Sequence, residues 1–486
     1  MPRNRQDTPK RAKNDSQRQS PKPRKIATKG HQDTGDSKAS HLSAHVALPI
    51  PLQQLILNIF KTSLFVWPAA RSREISSLED ASSQSQSDPT TLLNQQIQTI
   101  KSHLYNRDFV SAFADADAHL LRAYALRWSA ARALGYAGIF EGVFNNIKSL
   151  NSTAINPYSA SASSDPGRER VVKKHILCIG GGAGAEVVAI AAALRDMQDG
   201  VATLDAQNST IKNNTEEFST EIEGDISQLS LSGDKNAESY SDPKPYPLTK
   251  PPSGPSICVT ALDIAGWAPV IDELSKAITS DSIPSPKPCA NAPLLPLRGG
   301  DGETASNDPY FTVSFQKKDI LSLSEEALSS LLYTHPTSPT KTVLVTLMFT
   351  LNELFSTSIS QTVSMLLKLT DLLLPGTLLL VVDSPGSYST VSLTSTSEAP
   401  PSSSPSPTGG TANTEHRDVS VEGKRYPMRF LLEHTLLSVA AGSWESVLSD
   451  DSRWFRRERD ALKYNIGSVA LEDMRYQIHV YRRAEA

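Results

Sequence analysis

Residues 176–186 read "ILCIGGGAGAE". Four apolar residues form a short buried strand, the glycines break it, and "AEVVAIAAALRDM" (185–197) resumes with the apolar spacing of a helix. A strand that runs into Gly180, Gly182 and Gly184 and then into a helix is a turn suited to a nucleotide cofactor. Glycine reaches positive φ and lets ligand atoms approach the backbone, and the first N–H groups of the helix are free to bind. Gly180, Gly182 and Ala185 also satisfy the G-x-G-x-x-A form of the dinucleotide turn. A tight strand-to-helix connection without ligand is the competing reading. No Gly-Lys-Ser/Thr follows, so this is not a phosphate-cradling P-loop.

Outward from this turn, strand and helix patterns alternate. "SICVTALD" (256–263), "YFTVSFQKKD" (310–319), "KTVLVTLMFT" (341–350) and "GTLLLVVDSP" (376–385) read as strands. Between them "PVIDELSKAI" (269–278), "SEEALSSLL" (324–332) and "STSISQTVSMLLKLTDLL" (356–373) read as helices. That order predicts a parallel sheet with helices on both faces, and the near-continuous apolar strands predict burial on both sides. A helix around "RFLLEHTLLSVA" (429–440) and a strand at "MRYQIHVYRR" (474–483) follow. Upstream, Leu52, Leu55, Ile56, Ile59 and Phe60, and later Phe109, Phe113, Leu120, Leu121, Tyr124, Trp128 and Leu134, recur at helical spacing.

The domain expectation is therefore a disordered basic tail over 1–40, a helical N-terminal section over 41–150, and an α/β domain over 171–486. Low-complexity inserts fall at about 201–254, 281–306 and 389–420, between elements, where loops tolerate length. The mean hydropathy is −0.30. Residues 1–30 hold ten Lys/Arg against Asp7 and Asp15 on a chain of net charge −4, so a basic tail precedes an acidic body. Such a tail suits RNA tethering or nuclear import, against the plainer reading of a solvated end. The three cysteines form no CxxC pair, and the ten histidines show no metal spacing, so a reducing compartment and no metal are expected. Neither a signal peptide nor a membrane span is expected.

Several residues distinguish between cofactors. Asp263 ends the second strand, placed to accept hydrogen bonds from ribose hydroxyls, which suits both NAD and S-adenosylmethionine (SAM). Trp267 in "DIAGW" can cover an adenine face, or can be a core aromatic. Asp319 ends the third strand, where methyltransferases commonly carry a carboxylate near the adenine amino group. Glu186 at the glycine turn would repel a pyrophosphate but suits the cationic, phosphate-free SAM. No separate substrate domain follows the sheet, as one would for NAD. Together these favour SAM.

The blocks "YALRWSAARALGY", "HILCIGGGAGAEVVAIAAAL", "VTALDIAGW", "LMFTLNELF", "LLPGTLLLVVDSPGSYS" and "WFRRERDALKYNIGSVALEDMRYQIHVYRR" come in one order. That order resembles the fungal large-subunit (25S) ribosomal RNA (uridine-N3)-methyltransferase family over most of residues 92–483, inserts excepted. The resemblance implies a Rossmann-like class I methyltransferase sheet, SAM as cofactor, and methylation of one uridine in ribosomal RNA or a preribosomal particle. It also implies a nuclear or nucleolar location. A methyltransferase for a protein or small molecule, and a non-catalytic SAM-binding assembly factor, are the alternatives.

Methyl transfer to uridine N3 needs a group that removes the N3 proton or stabilises the anion. The loop after the fourth strand lies nearest the methyl group in this fold. There Asn352 could hold a uracil carbonyl and Glu353 could accept the proton, or "TLNELF" could simply be a helix start with Asn352 as its cap. Asp383, with Ser384 and Tyr388, forms a second candidate group after the fifth strand. Trp128 and Arg132 share a helix face that could meet RNA or roof the cofactor. "RWFRRERDALK" (453–463) has five basic residues against two acidic and two interleaved aromatics, which fits a single-strand contact or an exposed helix face.

Overall fold

In the computed structural model, five parallel strands carry the sheet: β1 (Lys173–Ile179), β2 (Ile257–Asp263), β3 (Phe311–Lys317), β4 (Thr340–Met348) and β5 (Leu378–Asp383). A hairpin, β6 (Tyr388–Val391) and β7 (Lys424–Pro427), stands apart as a second sheet. Two further strands, β8 (Trp444–Phe455) and β9 (Met474–Arg483), extend the main sheet antiparallel, giving the order β3-β2-β1-β4-β5-β9-β8. The structure describes residues 48–65, 88–106, 108–146, 173–200, 256–285, 293–296, 309–333, 340–386, 388–391 and 424–485, all within the unit His41–Ala486. The expected basic tail, and most of the expected inserts, lie outside the described residues.

The central strands are apolar because both faces are covered. Along β1 successive residues point to opposite faces. Ile176 and Cys178 join one core, and Leu177 and Ile179 join the other. The first core is shared with α1 (Ile50–Phe60), α2 (Pro89–Tyr105), α3 (Ala118–Tyr124), α4 (Ala130–Asn146), the helix α5 over 185–200 that follows the glycine turn, and α6 (Ala268–Ile278). The second is shared with α7 (Glu325–Tyr333), α8 (Leu351–Thr357), α9 (Ile359–Leu372) and α10 (Met428–Glu433). The helical N-terminal section is thus one layer on the sheet, not a separate body. A Cβ on Gly135 of α4 would lie 2.5 Å from Met474 Cε and 3.2 Å from the Phe455 ring, so a side chain there would have to displace the methionine end and press on the ring.

Two features depart from the sequence pattern. The segment 444–455 is a strand, and the basic stretch that follows it, 456–463, is irregular, so no helix carries "RWFRRERDALK". Within the expected insert at 281–306, Leu294 and Leu295 are each 1% exposed, and Arg195 of α5 donates to the carbonyls of Pro293 and Leu294. A buried guanidinium needs such acceptors, and the loop supplies them. A short helix, α8, follows β4 directly.

Among the described residues no helix is long and apolar enough to cross a membrane, and no group of three or more His, Cys, Asp or Glu could hold a metal ion. His175 in β1 is a buried histidine satisfied by hydroxyls, 3.0 Å from Thr342 Oγ1 and 2.9 Å from Thr260 Oγ1.

Candidate functional site

The strand order reverses between β1 and β4, so the loops leaving their carboxyl ends diverge and leave a crevice, the usual place for a ligand in open α/β sheets. Here it is a cavity of about 170 Å³. Its floor is the glycine turn with the ends of β2 and β4, and its roof is the N-terminal helical layer, which contributes Phe113, Tyr124, Arg132 and Tyr136.

Gly180 (φ +78°) and Gly184 (φ +80°) both take the left-handed conformation that bends the chain between β1 and α5. Both line the cavity. Gly182 takes part differently: its N–H donates to Asp263 Oδ2 at 3.3 Å, and its Cα side is pressed against Trp267. Asp263 closes β2, and its other oxygen accepts from the Ala265 N–H at 3.0 Å. Burial raises its pKa, while these backbone N–H groups oppose the rise. Trp267 is 2% exposed and lies 5.8 Å from Tyr124 and 6.4 Å from Phe113, ring centroid to centroid. Asp319 lines the cavity at its outer edge, exposed, and accepts from the Leu321 N–H at 2.9 Å.

Glu186 lines the cavity from below, 3% exposed, accepting a hydrogen bond from the Thr346 hydroxyl. Burial pushes its pKa up to about 8, so near neutral pH it is mostly uncharged. It therefore acts on the cavity through shape and hydrogen bonding more than through charge. A stability prediction follows. The folded pKa stands above the ordinary 4.5, so the folded state holds the proton more tightly, and stability falls as pH rises from about 4.5 to about 8. Glu186→Gln keeps the acceptor for Thr346 and removes that loss. Thermal melts should show the variant unchanged near pH 4 and more stable by a few kcal/mol at pH 8.

Glu353 stands on the first turn of α8, in the cavity wall. It is open to the cavity, yet protein atoms crowd it, and burial pushes its pKa up to about 7. Arg132 works against that rise, whereas Asp383 and Asp263 add to it. Asn352 does not cap the helix; Thr350 occupies that position and its side chain makes no capping bond. Asp383, 3% exposed at the end of β5, does the capping from outside: its Oδ2 accepts from the Asn352 N–H at 3.0 Å. Asn352 and Asp383 are absent from the cavity lining, and Asn352 Oδ1 is buried without a partner. Of the three residues considered for the chemistry, the geometry thus brings one, Glu353, to the cavity surface.

Arg132 faces the cavity beside it. Its Nη1 donates to Tyr124 Oη at 2.7 Å, and its guanidinium lies 4.9 Å from the centroid of the Phe349 ring. Phe349 is the one non-glycine residue with positive φ among those described (φ 59°), an uncommon conformation for a bulky residue that costs on the order of 1 kcal/mol. It turns the chain sharply between β4 and α8, and stacks on Tyr136 at 6.3 Å. Tyr124, Tyr136 and Phe349 lie within "YALRWSAARALGY" and "LMFTLNELF", but nothing there marked them as cavity residues. The helical spacing of Trp128 and Arg132 was the available hint. Arg127 pairs with Glu472 and lies 5.2 Å from the Trp128 ring.

An adenosyl cofactor fits these residues. Side chains at Gly180, Gly182 and Gly184 would each strike a neighbour within about 2.2 Å, so the turn keeps its backbone bare. The Asp263 carboxylate, an indole and an aromatic roof surround the space beside it.

Comparison with known proteins gives the family. The model of a family described as "Putative SAM-dependent methyltransferase" matches residues 76–482. The chain is 26% identical over 449 residues to the 25S rRNA (uridine(2843)-N(3))-methyltransferase of Saccharomyces cerevisiae, covering 91% of this chain and 89% of the yeast protein. Among solved structures, a SAM-dependent methyltransferase from Methanosarcina mazei aligns with 64% of this chain and 93% of its own, at 9% identity and a TM-score of 0.26, too low to bear weight.

Proposed function

This chain belongs to the SAM-dependent methyltransferase family, and from that premise we propose that it methylates N3 of a uridine in large-subunit ribosomal RNA. The reading draws on the similarity to the yeast uridine-N3 enzyme. The observation that carries it is Glu353, a carboxyl with a pKa of about 7 in the wall of the cavity, with Arg132 facing the same space.

Bound SAM supplies a methyl group activated by its sulfonium, so the protein's work is positioning and proton removal. The glycine turn would hold the cofactor, and Asp263 would accept hydrogen bonds from its ribose hydroxyls. Trp267 stiffens the turn from behind. The uracil N3–H is about as acidic as a phenol, with a pKa of roughly 10, so it stays protonated at neutral pH. Glu353 accepts that proton as the methyl acceptor forms. The Arg132 guanidinium, fixed by Tyr124 and the Phe349 ring, stabilises the negative charge that then spreads over the uracil carbonyls. Asp383 anchors the start of α8 and so positions Glu353. A ribosomal RNA substrate, free or in a preribosomal particle, suits the basic N-terminus and implies a nuclear or nucleolar site of action.

The test is nucleoside mass spectrometry of ribosomal RNA from cells with and without the gene. Loss of 3-methyluridine, restored by the wild type but not by Asp263→Ala, is the expected result. An unchanged nucleoside profile would overturn the ribosomal RNA reading and favour a protein or small-molecule substrate.

A further inference from the structure

On β8, the outermost strand of the main sheet, Trp454 is 50% exposed although its neighbour Phe455 is 5% exposed in the core beneath the helical layer. The Arg456 guanidinium lies 4.7 Å from the indole centroid, and that of Arg475, its cross-strand partner on β9, lies 5.7 Å away. Arg456, Arg457 and Arg459 all turn toward one carboxylate, Asp473, at 3.9, 3.9 and 3.4 Å. Three guanidiniums thus share one largely buried acid. The side chains of Arg456 and Arg459 remain 67% and 70% exposed. Other acids close by are engaged: Glu472 with Arg127, Asp450 with Arg453 and Asp451 with Arg429. Glu458 and Asp460, on the same loop, offset part of the charge.

The location matters as much as the composition. β9 runs antiparallel to β5 with Gln477 opposite Asp383, so Arg475 and Trp454 lie just past the carboxyl end of β5. That is the end of the sheet where the cavity opens. At the usual strand spacing, β8 lies three strands, roughly 14 Å, from β4, the strand that leads into the helix carrying Glu353.

We propose that Trp454, with Arg456, Arg459 and Arg475, is a docking platform for the single-stranded part of the substrate RNA. An unpaired base stacks on the indole–guanidinium cluster, and the exposed arginines hold flanking phosphates. The platform sets the direction from which the strand reaches the cavity. A tryptophan left half exposed between cations gains little from packing alone, and charge complementarity favours a polyanion with π-faces over an apolar partner. The proposal rests on RNA as the substrate, as argued above.

The test uses the full chain and a labelled, unstructured uridine-rich oligoribonucleotide, with binding followed by fluorescence anisotropy and SAM binding by calorimetry in parallel. Trp454→Ala should weaken RNA binding about 10-fold or more, Trp454→Phe should retain most of it, and SAM affinity should stay unchanged in both. Arg456→Gln with Arg459→Gln should flatten the dependence of RNA affinity on salt. Equal RNA affinity in Trp454→Ala and wild type overturns the platform, as does a wild type that binds no RNA. Should Trp454→Ala lose SAM binding through misfolding, Arg456→Gln/Arg475→Gln decides: unchanged RNA affinity there overturns it. The reaction is read separately, as 3-methyluridine in the product. Trp454-dependent binding without that product would leave the platform standing and remove the proposed chemistry.

Discussion

Glu353→Gln should lower single-turnover methylation of a ribosomal RNA substrate by roughly 10²–10⁴-fold, the usual worth of a positioned general base, and should leave SAM affinity nearly as it was. The substitution keeps shape and hydrogen-bonding capacity but cannot take a proton. Its pH signature is specific. A carboxyl can serve as a base only when ionised, and burial pushes the Glu353 pKa up to about 7. The wild-type rate should therefore climb with pH through a midpoint near 7 and level off above it. In Glu353→Gln this limb disappears, and any residual rate climbs only as the uracil itself ionises, at roughly pH 10. Arg132 supplies the sign check. It is the positive group that lowers the Glu353 pKa, so Arg132→Gln must move the limb to higher pH. A variant Glu353→Gln with the wild-type rate and profile would exclude this carboxyl as the base.

Why the sequence pointed to Glu353 and Asp383 together, and geometry to one of them, has a physical cause. Both are acids just past or at the carboxyl ends of neighbouring strands, Glu353 on the first turn of the helix after β4 and Asp383 at the end of β5. Sequence pattern gives that placement without saying whether each faces the cavity or a backbone N–H. Asp383 turned inward to satisfy the first turn of α8. The glycine turn and the parallel strands were legible because burial on both faces forces apolar runs, and bare backbone forces glycine. β8 was not legible because an edge strand faces solvent along most of its length: of its twelve residues only Trp444 and Phe455 are buried. The roof of the cavity needed contacts across more than fifty residues of sequence. Helical spacing shows that Trp128 and Arg132 share a face, but not that this side of the helix meets the loop after β4. Phe349 leaves no trace in the sequence, since nothing about a phenylalanine announces positive φ. Glu186 was read as a charge, and its pKa of about 8 makes it mostly a neutral acid at pH 7.

Gly182→Ala tests the turn itself. A Cβ at this position would lie 2.1 Å from Trp267 Cδ1, 2.6 Å from Trp267 Cγ and 2.8 Å from Asp263 Cβ. None of these atoms is the free end of a flexible chain. The indole is packed against Tyr124 and Phe113, and Asp263 is held by the N–H groups of Gly182 and Ala265. The turn must therefore lift, or the indole must leave its place, at a cost of about 1–3 kcal/mol for overpacking. Either movement displaces the carboxylate that would receive the ribose. SAM affinity should fall about tenfold or more by calorimetry, with a melting temperature lower by several degrees. Gly266→Ala is the matched control: it lies in the neighbouring loop, keeps an ordinary φ, and its Cβ would meet nothing within 4 Å. It should bind SAM as the wild type does. The comparison separates the two readings of "GGGAGA". If Gly182→Ala loses stability but binds SAM normally, the glycines serve only a tight connection between β1 and α5. Affinity lost beyond what the melting temperature explains, with Gly266→Ala intact, makes the bare backbone of the turn part of the cofactor's binding surface.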